Sequence, residues 1–152
     1  MPYTDDKDNL LHLNNVITKV AVGSDDTKWG LRALQIAADF AANWGAELDV
    51  ITVVPGNTNL DDPAQKQKFE DVLDARLESI CTTHPDLKIR KSIVAGRAVE
   101  TLTKASHTHD IVVVGSCGRG GLTGLLFNST GQGLLQHSAS PVYVVPRKLR
   151  GG

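Results

Sequence analysis

Ile111-Val-Val-Val-Gly-Ser-Cys-Gly-Arg-Gly-Gly-Leu-Thr-Gly124 joins the most apolar run of the chain to its densest group of glycines. A short run of β-branched residues without a polar interruption suits a strand covered on both faces, as strands of a parallel sheet are. Such a strand belongs in the middle of a sheet. The glycines that follow then mark the turn at its carboxyl end, where open parallel sheets bind their ligands.

Working outward, the same logic assigns four more strands. Thr18-Lys-Val-Ala-Val-Gly23 and Leu48-Asp-Val-Ile-Thr-Val-Val54 are short and apolar, and Pro141-Val-Tyr-Val-Val145 is the last. Leu87 to Val94 carries Lys88, Arg90 and Lys91, the charges that protect an exposed sheet edge. Between the strands lie helical stripes. The first comprises Trp29, Ala33, Ala37, Phe40, Ala41 and Trp44, with Gly45 placed to end it; both tryptophans are expected in the core. The second comprises Phe69, Val72, Leu73, Arg76, Leu77 and Ile80, stopped at His84-Pro85, with Cys81 expected to be a buried structural thiol. Gly96 opens a short third helix through Val99, Leu102 and Ala105, and a fourth runs through Leu134, Leu135 and His137. Strands alternating with helices predict an α/β fold with a single doubly wound five-stranded parallel sheet, order 3-2-1-4-5, and helices on both faces.

Composition narrows the function. The 152 residues are 41% hydrophobic and 22% charged, with a net charge of −1, ordinary for one globular domain and without a field for nucleic acid or an anionic membrane. Cys81 and Cys117 have no paired spacing, so reduced thiols and a cytoplasmic location are expected. No stretch is long enough for membrane insertion. Residues 1–16 read as an N-terminal extension, acidic where a signal peptide is basic, and residues 17–152 as the domain.

In the expected order the loops after the first and fourth strands lie side by side, bringing Asp25 next to the glycine segment. Backbone N–H groups can surround an anion where no Cβ obstructs it, and the start of a following helix, here at Asn128, Ser129 and Thr130, adds a positive dipole. Composition alone leaves a plain surface turn equally open. A Walker loop is excluded because no Gly-Lys occurs, and a dinucleotide fingerprint would follow the first strand, where the chain reads Gly23-Ser-Asp-Asp-Thr27. Asp25 can also cap the first helix. His107 and His109, two residues apart near a helix end, fall on different helix faces and make a poor metal site. Cys117, beside Arg119 within the glycine loop, has surroundings that would lower a thiol pKa.

The segment from Gly115 through Asn128-Ser129 to Val145 resembles the C-terminal signature of the universal stress proteins. In their nucleotide-binding branch the pattern is G-x-x-G, nine residues, then G followed by S or T. Gly115 and Gly118 match the first pair, Arg119 to Phe127 are the nine, Ser129 matches the hydroxyl, and Asn128 replaces the glycine. Asp25-Asp-Thr27 with Ala33-Leu34, Val53 and Gly96 extend the resemblance over residues 17 to 146. It implies ATP as ligand, with Gly115, Gly118, Asn128, Ser129 and Thr130 around the phosphates, Asp25 at the ribose and Val53 at the adenine. Mg²⁺ would bridge phosphate oxygens rather than occupy a protein cage. It further implies a regulatory or sensor protein, a nucleotide-free interaction module or slow ATPase being the alternatives. The apolar edge Val142 to Val145 is expected to form a homodimer.

Overall fold

A computed structural model of the protein describes residues 17–24, 28–115 and 137–145, with side chains given from residue 31 within the first helix. Along the chain run β1 (Lys19–Ser24), α1 (Lys28–Trp44), β2 (Glu47–Val54), α2 (Pro63–Thr83), β3 (Ile89–Ala95), α3 (Ala98–Ser106), β4 (Ile111–Gly115) and β5 (Val142–Val145). The strands form one sheet in the order β3-β2-β1-β4-β5, and every neighbouring pair is parallel. This is the topology expected from the sequence.

Alternation along each strand divides the interior in two. Val20, Val22, Leu48, Val50 and Val113 point to one core, where α1 contributes Leu34 and four alanines and α2 contributes Leu73, Leu77 and Ile80. Ala21, Ile51, Val112 and Val114 point to the other, covered by Leu102 and Ala105 of α3. Helices therefore cover both faces. Each fully buried Leu or Val stabilises the fold by about 1.5–3 kcal/mol relative to an exposed one. The small side chains of Ala33, Ala37, Ala38 and Ala41 let α1 lie close against the central strands.

The helix ends follow local chemistry. Gly45 takes a positive φ of 65° and closes α1 with Ala46 N–H donating to Ala41 O. Asp62 caps α2 by accepting from Ala64 N–H at 3.0 Å, and Pro63 occupies the first helical position, where its missing N–H costs nothing. Gly96, at φ 149°, turns the chain from β3 into α3.

Two expectations about packing are corrected. Trp44 is 42% exposed rather than in the core, because it is the last residue of α1, beyond Ala41, the last buried position of that helix; it rests on Phe40, ring centroids 6.3 Å apart. Cys81 is exposed rather than buried. It follows Ile80, the last buried residue of α2, by one position, and the 3.6-residue helical period turns it roughly 100° away from the core. The same offset from Leu73 leaves Val72 exposed. Trp29 as a core residue concerns a side chain outside those described, and a helix through Leu134 and Leu135 concerns residues outside the described ones; His137 is helical and exposed.

The sheet edges differ. On β3, Arg90 and Lys91 are exposed, and Lys91 Nζ donates to Asp74 of α2 at 2.6 Å, a hydrogen bond that raises the lysine pKa. On β5, Val145 is buried while Tyr143 is 40% exposed.

Candidate functional site at the carboxyl edge of the sheet

The strand order puts the carboxyl ends of β1 and β4 next to each other. Val22 lies opposite Val113, so two residues further along Ser24 comes level with Gly115, which itself lies opposite Val145. Ser24 also lies opposite Thr52, one residue before Val53. Thus Val53 and Gly115, assigned from the sequence, reach the same edge of the sheet. Val53 is half-buried on the α3 side, packed against the core of Ile51, Leu102 and Val114. Gly115 is buried, as is Ser24. Asp25, Gly118, Asn128, Ser129 and Thr130 lie outside the described residues.

Small residues bring the loops at this edge close together. Gly96 N–H donates to Val54 O at 3.0 Å, and a Cβ added at Gly56 would stand 3.8 Å from Gly96 Cα. Gly23 is tighter still, since a Cβ there would come within 3.2 Å of Leu102 Cδ1. The absence of a Cβ at Gly23 lets Leu102 bring α3 close against β1, while Gly56 and Gly96 let the segments after β2 and β3 approach each other. Arg97, exposed at the start of α3, brings a cation to it.

The opposite, amino edge is organised by charges. Asp110 Oδ2 accepts from the N–H groups of Thr18 and Lys19 at 2.8 and 3.0 Å, and Asp110 N–H donates to Lys19 O. His109 Nε2 lies 3.0 Å from Asp49 Oδ2. The helix α3 ends at Ser106, so His107 caps it and His109 stands beyond it, not on another face of the same helix. Sequence reasoning missed both contacts, because they join residues 60 to 92 positions apart and neither has a periodic signature. Among the described residues no three His, Cys, Asp or Glu side chains are grouped as metal ligands. A cavity of about 530 Å³ also opens at this amino edge, lined in part by Thr18, Glu47, His84 and Lys88, far from the strand ends that bear Val53 and Gly115.

Residues 17–146 match the sequence profile of the Universal stress protein family. The chain belongs to that family. A universal stress protein of Mycobacterium tuberculosis is 36% identical over 133 residues, 82% of this chain and 44% of the relative. The chain thus spans about half the length of the curated relatives it matches. Among solved structures, a universal stress protein in complex with cAMP superimposes with a TM-score of 0.64 at 23% identity, covering 84% of this chain and 95% of the other. The universal stress protein from Archaeoglobus fulgidus in complex with dAMP gives 0.62 at 16% identity, covering 84% and 97%. At these identities the structural likeness establishes the fold. Among the described residues, no helix of this universal stress protein is long and apolar enough to cross a membrane.

Proposed function

We propose that this chain is an ATP-binding regulatory or sensor protein of the stress response, its nucleotide held at the carboxyl edge of the sheet. The observation that carries the reading is the phosphate signature running from Gly115 in a universal stress protein whose β1 and β4 end side by side. Two relatives of the same fold were solved with adenine nucleotides, cAMP and dAMP. Val53, half-buried and apolar, suits an adenine face, and Gly115 offers a strand end with no Cβ to obstruct a phosphate. Asp25 would accept from the ribose hydroxyls, while Gly118, Asn128, Ser129 and Thr130 would donate to phosphate oxygens. Mg²⁺ would join through those oxygens. The domain serving this function would be residues 17–152, in the cytoplasm, with residues 1–16 an extension.

Asn128 is the departure that supports the other reading, a nucleotide-free interaction module. Asparagine tolerates positive φ better than other non-glycine residues and carries an amide donor, so binding should persist in weakened form. Calorimetric titration of ATP with Mg²⁺ should show Asn128→Gly tightening binding by up to about tenfold, or roughly 1.4 kcal/mol. Ser129→Ala should lose about 1.5–3 kcal/mol, the worth of a hydrogen bond to a charged group. Binding by Asn128→Gly but not by the parent would establish the module reading, and binding by none would reject the site.

The β5 edge, with Tyr143 exposed, supports a homodimer formed through Val142 to Val145. Light scattering at tens of micromolar should give twice the chain mass; a monomer contradicts the assignment.

A further inference from the structure

His109 presents both ring nitrogens to oxygens. Nδ1 lies 2.8 Å from the carbonyl oxygen of Ala105 in the last turn of α3, and Nε2 lies 3.0 Å from Asp49 Oδ2 on β2. A carbonyl and a carboxylate only accept. A neutral imidazole has one N–H, so one of its nitrogens would turn a lone pair against an oxygen at hydrogen-bond distance. Both contacts are satisfied only if the His109–Asp49 pair holds one more proton than a neutral histidine and a free carboxylate do. We propose that His109 and Asp49 share this bound proton as a clip fastening the end of α3 and the start of β4 to β2, and that the clip opens as pH rises.

The surroundings favour a proton there. The side chains of His109 and Asp49 are only 10% and 20% exposed, which strengthens their attraction. Ala105 O belongs to the carboxyl end of a helix, where the dipole favours a cation. Thr108 Oγ1 donates to the same carbonyl at 3.2 Å and stands 3.0 Å from Nδ1. From β3, Ser92 Oγ reaches Asp49 Oδ1 at 3.5 Å, and Arg90 lines the adjoining hollow. From β1, Lys19 opposes the imidazolium, and Glu47 of β2 shares the hollow. Asp110 is engaged with Thr18 and Lys19. The hydrogen bond to Asp49 raises the His109 pKa above its ordinary 6.5, against the opposing effect of burial. A hollow of about 170 Å³ beside the pair gives the proton a path to water.

The sign follows from linkage. A group with a raised pKa in the folded state contributes stability that is fully present below the unfolded value of 6.5 and is lost as pH rises through the folded value. Because β1 lies between β2 and β4, the clip reaches across the central strand, and its loss frees the joint between α3 and β4.

NMR titration of the full chain tests this. The imidazole signal that disappears in His109→Gln should titrate above pH 6.5 in the parent, and should move down toward 6.5 in Asp49→Asn. The melting-temperature gap between parent and His109→Gln should narrow as pH is raised from 6 to 9, and the protection of the amides of residues 105–108, corrected for the base-catalysed intrinsic exchange rate, should fall toward that of His109→Gln at the upper end. Should His109→Gln fail to fold, through-bond assignment identifies the signal and the parent and Asp49→Asn titrations decide. A His109 midpoint at or below 6.5, or one that Asp49→Asn leaves unchanged, overturns the proposal.

Discussion

The two ends of the sheet are built from different chemistry. At the amino end, carboxylates do the fastening: Asp110 gathers the N–H groups of Thr18 and Lys19, and Asp49 meets His109. At the carboxyl end the described strand termini are Ser24, Val54, Ala95, Gly115 and Val145, all small or apolar and none charged. Carboxylates are thus engaged at the amino end, and the described strand termini at the carboxyl end carry none that would repel an anionic ligand. In a parallel sheet all strands start at one end, so this division places fastening contacts where the chain enters the sheet, opposite the edge proposed for the nucleotide.

Leu102→Ala should have the largest effect, because Leu102 is 1% exposed and supports both ends through α3. Removing it should cost about 2–5 kcal/mol, read as a fall in denaturant midpoint with the slope unchanged. A loss well below that range would mean that α3 is not the common support. Asp110→Ala comes next. It removes the acceptor of two backbone N–H groups, at a cost near the lower end of about 1.5–3 kcal/mol since the bonds are exposed to solvent. ATP affinity should be unchanged; a parallel loss of binding would break the division of labour between the ends. Val53→Asp is the converse change. It should weaken ATP binding by about tenfold, equivalent to roughly 1.4 kcal/mol, by setting a carboxylate beside an anionic ligand. Unaltered affinity in calorimetry would remove Val53 from the site.

How much of this was legible in the sequence depends on the range of each interaction. The strands were readable from apolar runs such as Ile111 to Val114, and their order from the one central run and the one charged edge. Gly45, Gly96 and Pro85 marked their turns correctly because backbone conformation is a local property. Side-chain exposure was less legible. Cys81 and Trp44 lie on or beside apolar stripes, yet a single residue of helical rotation in one case and a place at the very end of a helix in the other put them in solvent. Least legible were Asp49 with His109 and Asp110 with Thr18, since nothing near either residue in the chain announces a partner some 60 or 92 positions away. At the candidate site, Val53 and Gly115 were brought to one edge as the topology required, because strand order alone dictates which ends meet.

The Asp110 contact with Lys19 also sets a timetable for synthesis. These residues are 91 positions apart, and β1 is the strand at the centre of the sheet. At about 5–20 residues per second, the ribosome delivers the partner roughly 5–18 seconds after Lys19 itself. Through that interval β2 can occupy one side of β1, while the other side has no β4 to receive it. The nascent protein therefore carries an open edge in what will become its most protected strand, and it is the last third of the chain that closes it.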